Sequence, residues 1–250
     1  MSDAVLVERR DRVLLITLNR PDQMNAINSD VALGVLDATK ELDGDSGLTA
    51  GVLTGAGGRF CSGMDLKAFA KEGTPKGLLE VLQNGCAKPL IAAVERFALA
   101  GGLELALTCD LLVSARDARF GIPEVGVGLF AAGGGLLRLP QRLPLGVALE
   151  MGLTAEPISA EQAYQYGLVN RLTDPGGAVD AALELAERIA KNAPLAVTAT
   201  KQLMHDAVAY PETEFWERQD GLVGQVFRSN DAKEGPRSFA EKRAPNWTGT

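Results

Sequence analysis

The chain alternates short apolar runs with stretches of helical period. Residues 4–9 and 12–18 (ending V-L-L-I-T-L) read as two strands, with Asp11-Arg12 as the hairpin turn between them. Asn19-Arg20-Pro21-Asp22 breaks the pattern, and a loop follows to Ile27. Asn28 or Ser29 caps a predicted helix to about Leu42, with Val31, Leu33, Val35, Leu36 and Leu42 as its apolar positions. Residues 51–54 (G-V-L-T) form a short buried strand. It runs into a glycine-rich segment at 55–66, G-A-G-G-R-F-C-S-G-M-D-L. A polar linker and helix fill 67–88 and end at Lys88-Pro89, and residues 90–94 (L-I-A-A-V) are the next buried strand.

A helix over 101–109, a strand over 110–115 and a loop to Glu124 come next. Another helix starts near the glycines at 133–135, and Pro140 and Pro144 bound a short connection to a helix over 145–152. Ser159 is the expected N-cap of a helix over 160–166, closed by Gly167, and 168–172 is a strand. From Gly177 onward only helices are predicted, at about 177–192, 194–209, 211–229 and 236–243. The alternation implies an α/β core over 1–192, and the switch near Asn192-Ala193-Pro194 implies a helical region over 193–250. Helices with no sheet to cover need another surface, and a neighbouring subunit is the expected one.

At 250 residues there is chain enough for one large domain or a domain with an appendage. The hydrophobic fraction of 46% and the charged fraction of 23% are ordinary for a globular protein. A formal net charge of −7 argues against nucleic acid as a partner, and leaves an anionic ligand to local cations or helix N-termini. Cys61, Cys86 and Cys109 have no C-x-x-C spacing and, with the single His205, predict no metal site; they read as buried thiols. No apolar stretch is long enough for a membrane span, and the N-terminal M-S-D-A-V-L-V-E-R-R-D-R has no apolar leader segment, so a cytoplasmic protein is expected.

The candidate chemistry gathers in 98–124. Gly101-Gly102 opens a helix, and Glu104 sits among Leu103, Leu105, Ala106 and Leu107, where it either shares a solvated stripe with Thr108 or faces a pocket. Glu124 follows Pro123 in a loop. A glycine pair at a helix start either packs closely on a strand or presents a free N–H to developing negative charge. Ser62-Gly63-Met64-Asp65 could supply a second such N–H, and two converging amides make an oxyanion hole. G-V-G-L-F-A at 126–131 matches a dinucleotide fingerprint, but lies outside the β-α-β context that the motif requires. Neither Ser62 nor His205 has the setting of a serine-hydrolase triad.

In order, the segments N-R-P-x-x-x-N-A (19–26), L-T-G-A-G-G-R-F-C-S-G-M-D-L (53–66), K-P-L-I-A-A-V (88–94), A-G-G-x-E-L-A (100–106), C-D (109–110), A-R-F-G-I-P-E (118–124), G-G-x-x-R-L-P (134–140) and D-A-K-E-G-x-x-x-F-x-E-K-R (231–243) resemble the enoyl-CoA hydratase/isomerase family, the crotonases. The resemblance covers nearly the whole chain. It implies a spiral of repeated β-β-α units with a C-terminal helical region that forms trimers, often paired as dimers of trimers. It implies an acyl-CoA thioester as ligand and no cofactor beyond the CoA that the substrate carries. The oxyanion amides fall on Met64 and Gly101. Glu104 and Glu124 match the two glutamates of hydratase members, of which isomerases commonly keep only the second. Glu124 is expected to exchange a proton with Cα, and Glu104 to position and activate water. Gln23, Met24, Asp65, Leu66 and Lys67 match CoA-contacting positions, and Phe239 and Lys242 match positions that reach a neighbouring subunit's CoA site. Four departures stand out: Ala100 and Arg96 at family glycines, Met64 at a usually smaller residue, and Ala131-Ala132 where many hydratases have P-G. The implied activity is hydration of a 2-enoyl-CoA. Double-bond isomerisation, carnitinyl-CoA-type dehydration and non-catalytic acyl-CoA binding are the alternatives.

Overall fold

The computed structural model describes residues 4–250; Met1–Asp3, which open the stretch read above for a leader, lie outside the described residues. Six strands form the main sheet: β1 (Val5–Arg10), β2 (Val13–Leu18), β3 (Ala50–Gly55), β4 (Leu90–Val94), β6 (Leu111–Ala115) and β9 (Arg171–Thr173), in the order β1-β2-β3-β4-β6-β9. β1 and β2 are an antiparallel hairpin, and every other neighbour is parallel. A second sheet, in the order β5-β7-β8, joins β5 (Phe97–Leu99), β7 (Arg119–Gly121) and β8 (Ile158–Ser159).

Residues in a strand point alternately to its two faces, and here both faces are covered. In β4, Leu90, Ala92 and Val94 enter the larger core and Ile91 and Ala93 the smaller one. Helix α1 (Ser29–Gly44) packs Val31, Val35, Leu36 and Leu42 into the larger core, and Asn28 caps it by accepting from the Val31 amide at 3.0 Å. Leu33, expected on the apolar face, is exposed. Helix α8 (Ala178–Ala190) covers the opposite face with Ala178, Ala182, Ala186 and Ala190, a stripe at four-residue spacing that lets helix and sheet approach closely. Buried Glu95, just after β4, fixes the start of α8 by accepting from the Gly176 and Ala178 amides, each at 3.0 Å.

The segment expected as one linker and helix is two helices, α2 (Leu66–Glu72) and α3 (Leu78–Asn84). Helix α4 (Gly101–Leu107) follows β5. Helix α5 (Gly135–Arg142) runs through Pro140 instead of stopping there. Pro140 forfeits one helical hydrogen bond, and Arg142 holds the last turn by donating to the carbonyls of Cys109 (2.7 Å) and Leu107 (3.3 Å). Helices α6 (Leu145–Thr154) and α7 (Ala160–Gln165) complete this part, α7 with a capping box between Ser159 and Gln162.

Helices α9 (Pro194–Ala209), α10 (Glu212–Phe227) and α11 (Asn230–Ala240) end the chain. Lys201 ties α9 to the core through Asp110 at 2.7 Å and the Cys86 and Lys88 carbonyls. Helix α11 starts six residues earlier than its expected onset at 236, because Ser229 caps it and Pro236 falls inside it. Asp231 in its first turn accepts from the Thr248 and Gly249 amides, folding the last residues back on the helix. Among the described residues, no helix is long and apolar enough to cross a membrane.

Candidate active site

Two loops bring a pair of backbone amides together. The Gly63 carbonyl accepts from Ile27 N at 2.8 Å, and Asp65 N donates to the Ile27 carbonyl at 2.9 Å. Between these bonds the Met64 N–H has no partner among the described residues. At the other loop, Ala100 (φ 49°, ψ −130°) turns the chain from β5 into α4. Gly101 is then the first helical residue, and its N–H also has no partner among the described residues. A Cβ placed on Gly101 would lie 3.6 Å from Met64 N, so the two free donors adjoin. The glycine pair serves both ends considered from sequence: Gly101 presents its amide, while a Cβ on Gly102 would stand 2.4 Å from the Cys61 carbonyl oxygen. Gly102 is close packing.

Glu104, on α4, is only 5% exposed. Its Oε1 accepts from Gly133 N at 2.6 Å and Gly135 N at 3.0 Å. Burial pushes its carboxyl above the ordinary range, and the two amides and the nearby Arg138 charge pull against that shift. Glu124 sits in a 3-10 turn, Pro123–Val127, and its buried Oε2 has no hydrogen-bond partner. Burial raises this carboxyl as well, and the Glu104 charge pushes it in the same direction. One carboxylate is thus held by donors that favour charge, and the other faces a neighbouring negative group with an oxygen unpaired. Such a pair can divide the roles of proton acceptor and proton carrier.

A cavity of about 510 Å3 opens beside Met64, and Gln23, Met24, Asp65, Leu66 and Lys67 all line it. Lys71, one helical turn beyond Lys67, lines it too; sequence reasoning missed it, though its i+4 spacing from Lys67 was the available signal. Gly101, Glu104 and Glu124 are not part of that lining. The Asp65 carboxylate is committed within the protein: Oδ1 caps α2 through the Lys67 and Ala68 amides, and Oδ2 meets Arg20 at 3.1 Å. The Ala68 amide is the largest influence holding this carboxyl below its usual range, and the Arg20 guanidinium adds to it. Phe239 and Lys242 do not line the cavity within one chain, and Phe239 is 87% exposed.

The N-R-P-x-x-x-N-A segment proves to be a frame for this cavity. Buried Asn25 accepts from Arg20 N and donates to the Ala56 and Arg59 carbonyls, joining the loop before α1 to the glycine-rich loop. Arg20 donates to the Ala26 carbonyl at 2.7 Å. Two departures also find a physical setting: Arg96 (φ 57°) and Ala100 (φ 49°) occupy left-handed backbone, where glycine is the unstrained residue. After Ala131-Ala132, it is the amides of Gly133 and Gly135 that grip Glu104.

A model of the enoyl-CoA hydratase/isomerase family matches residues 8–250. Enoyl-CoA hydratase EchA19 of Mycobacterium tuberculosis is 40% identical over 255 residues, covering 97% of this chain and 95% of that protein. Carnitinyl-CoA dehydratase of Salmonella typhi is 38% identical over 263 residues and 100% of both chains. Among solved structures, an enoyl-CoA hydratase of M. tuberculosis H37Rv superposes with a TM-score of 0.95 at 53% identity, covering 100% of both chains. Enoyl-CoA hydratase EchA1 of Mycobacterium marinum matches with the same TM-score of 0.95 and 53% identity, again over 100% of both chains.

Proposed function

The chain belongs to the enoyl-CoA hydratase/isomerase family and has the crotonase fold, and from that membership we propose that it reversibly adds water across the C2=C3 bond of a 2-enoyl-CoA. Its chemistry is acyl-CoA chemistry, as the family's is. The observation that carries the hydratase reading is the pairing of Glu104, gripped by two amides, with Glu124, whose buried oxygen is unpaired.

In this reading the thioester oxygen accepts from Met64 N–H and Gly101 N–H. As water bonds to C3, the C2=C3 electrons move toward that oxygen, and the enolate charge builds beside the two donors. Removing one such donor costs about 3 kcal/mol of barrier stabilisation. Glu104 takes the proton that the water loses. Glu124 delivers its proton to C2, which restores the carbonyl. Glu104 has then gained one proton and Glu124 lost one, so a proton passes from Glu104 to Glu124, directly or through water, to restore the pair for the next turnover; dehydration runs the same steps backward.

For the CoA portion we assign the cavity beside Met64. Lys67 and Lys71 supply local positive charge there, which a chain of net charge −7 needs for a phosphate-bearing ligand. The reading calls for no cofactor beyond that CoA, and no metal. We also assign self-association as a trimer or dimer of trimers, with Phe239 and Lys242 completing a neighbour's CoA site. What supports it is the apolar surface left open on the C-terminal helices: Met204, Val208, Trp216, Phe227 and Phe239 are all exposed.

The test is loss of enoyl-thioester absorbance on a panel of 2-enoyl-CoAs, with sedimentation reporting the assembly. Turnover that disappears in Glu104→Gln and in Glu124→Gln supports the reading; tight acyl-CoA binding without turnover by wild-type protein sinks it. The full-length likeness to carnitinyl-CoA dehydratases makes carnitinyl-CoA the first alternative substrate on the panel. Conversion of 3-enoyl to 2-enoyl thioesters that survives in Glu104→Gln would mark an isomerase instead.

A further inference from the structure

Arg138 lies on α5, one turn from the amides that hold Glu104, and it is half-buried without an ion-pair partner among the described residues. Its guanidinium is occupied by carbonyls. Nη1 donates to the Gly133 carbonyl at 3.2 Å and Nη2 to the Leu82 carbonyl, near the end of α3, at 2.6 Å. Gly133 is therefore held from both sides: its N–H donates to Glu104 Oε1 and its C=O accepts from Arg138. Leu82 also packs against Gly133, since a Cβ there would stand 2.4 Å from Leu82 Cδ1. The two N–H groups sit on one rigid planar fork, so their spacing is fixed, unlike that of a lysine ammonium on its flexible stem.

We propose that Arg138 is a positioning residue for the acid–base step: it clamps the Gly133 peptide to α3, fixes the amides that grip Glu104, and supplies the positive charge facing that carboxylate. The proposal rests on the hydratase reading above. The charged groups around Glu104 are few. Glu124 faces it from the 3-10 turn, Arg138 from α5, and Arg142 acts on Arg138 from the next turn. On α3, Glu80 is turned away to an ion pair with Lys40. Arg138 favours the ionised form of Glu104, which is the form that accepts a proton from water.

The experiment measures kcat and KM against pH for hydration of crotonyl-CoA by wild-type, Arg138→Gln and Arg138→Lys proteins. In Arg138→Gln, kcat should fall about 10- to 100-fold with KM nearly unchanged. The acid limb of the kcat profile should move to higher pH, since Glu104 then protonates more readily. Arg138→Lys keeps the charge but not the planar bridge, so its acid limb should move less than that of Arg138→Gln while kcat still falls. A folded Arg138→Gln protein with the wild-type limb overturns the proposal. If Arg138→Gln does not fold, an undiminished kcat in Arg138→Lys overturns it. The 13C carboxyl titration of Glu104, assigned by its loss in Glu104→Gln, reads the same shift without turnover. An inactive wild-type enzyme would therefore count against the hydratase reading and leave the Arg138 assignment to the titration.

Discussion

Gly133 touches Glu104 twice: its amide donates to Oε1 at 2.6 Å, and a Cβ built on it would lie 2.7 Å from Oε2. The contact leaves no room for a side chain. Gly133→Ala should drive the new methyl against Oε2 and against Leu82 Cδ1, which it would approach to 2.4 Å. Leu82 can yield by turning its side chain, but the Glu104 carboxylate is buried and held by two amides, so the fold should lose about 1–3 kcal/mol. Catalysis should suffer more, since displacing Glu104 by a fraction of an ångström misplaces the attacking water. We expect kcat to fall about 100-fold with KM little changed. Steady-state kinetics with a urea titration on the same protein checks both parts.

Glu124→Gln should abolish turnover and stabilise the protein in a pH-dependent way. Its carboxyl is raised above the ordinary range by burial and by Glu104. The folded state therefore binds its proton more tightly than the unfolded state does. A raised carboxyl contributes stability in full below its unfolded pKa, and that contribution is lost as pH rises through the folded value. Glutamine never ionises and keeps that stability. The variant's gain in Tm should be near zero at pH 4 and grow toward pH 8. A Tm difference that shrinks with rising pH would contradict the assignment.

These two predictions draw on features that differ in how far they were legible. β4 and α9 could be read to the residue: the first is an apolar run that begins just after Pro89, the second begins with Pro194 at its first position. β5, β7 and β8 are two or three residues long, too short to show a period, so nothing in the pattern marks them as strands. Pro140 reads as the edge of a connection and position 236 as the start of a helix, yet both prolines lie inside helices held by other contacts, Arg142 in one and the Ser229 cap in the other. Glu104 and Glu124 were visible as residues, but pattern alone did not bring them together; the family resemblance did. The grip on Glu104 was hidden for a different reason. It consists of backbone N–H groups, which every residue but proline has, so G-G-G at 133–135 signals only a turn until the carboxylate is seen beside it.

Ala100→Gly should stabilise the protein. At φ 49° and ψ −130°, Ala100 occupies the first central position of a type II′-like turn, where a Cβ is strained. Such a conformation costs a non-glycine residue about 1–3 kcal/mol, and glycine adds about 0.5–1 kcal/mol of unfolded-chain entropy against it. The net expectation is a gain of about 0.5–2 kcal/mol, read as a higher urea midpoint at unchanged slope. Because the Gly101 amide is set by this turn, kcat should hold or rise slightly. A loss of stability would mean that the Ala100 methyl contributes packing worth more than the strain.

Lys67→Ala and Lys71→Ala test the cavity assignment without touching the acid–base groups. The two ammonium groups are one helical turn apart on α2, at the rim of the cavity that begins beside Met64. If they neutralise phosphate on the CoA portion, removing either should raise KM for a 2-enoyl-CoA several-fold, because an exposed charge pair contributes about 0.2–1 kcal/mol. The effect should shrink as salt is added and screening shortens the reach of the surviving charge. kcat should not move, since in this reading these groups neither donate to the thioester oxygen nor carry the transferred protons. The decisive control is a 2-enoyl pantetheine thioester, which has the reacting atoms but lacks the nucleotide phosphates. Its kinetic constants should be the same in wild type and in both variants. An equal loss on the two substrates would mean that α2 itself, anchored by the Asp65 cap and the Arg20–Asp65 pair, had been disturbed.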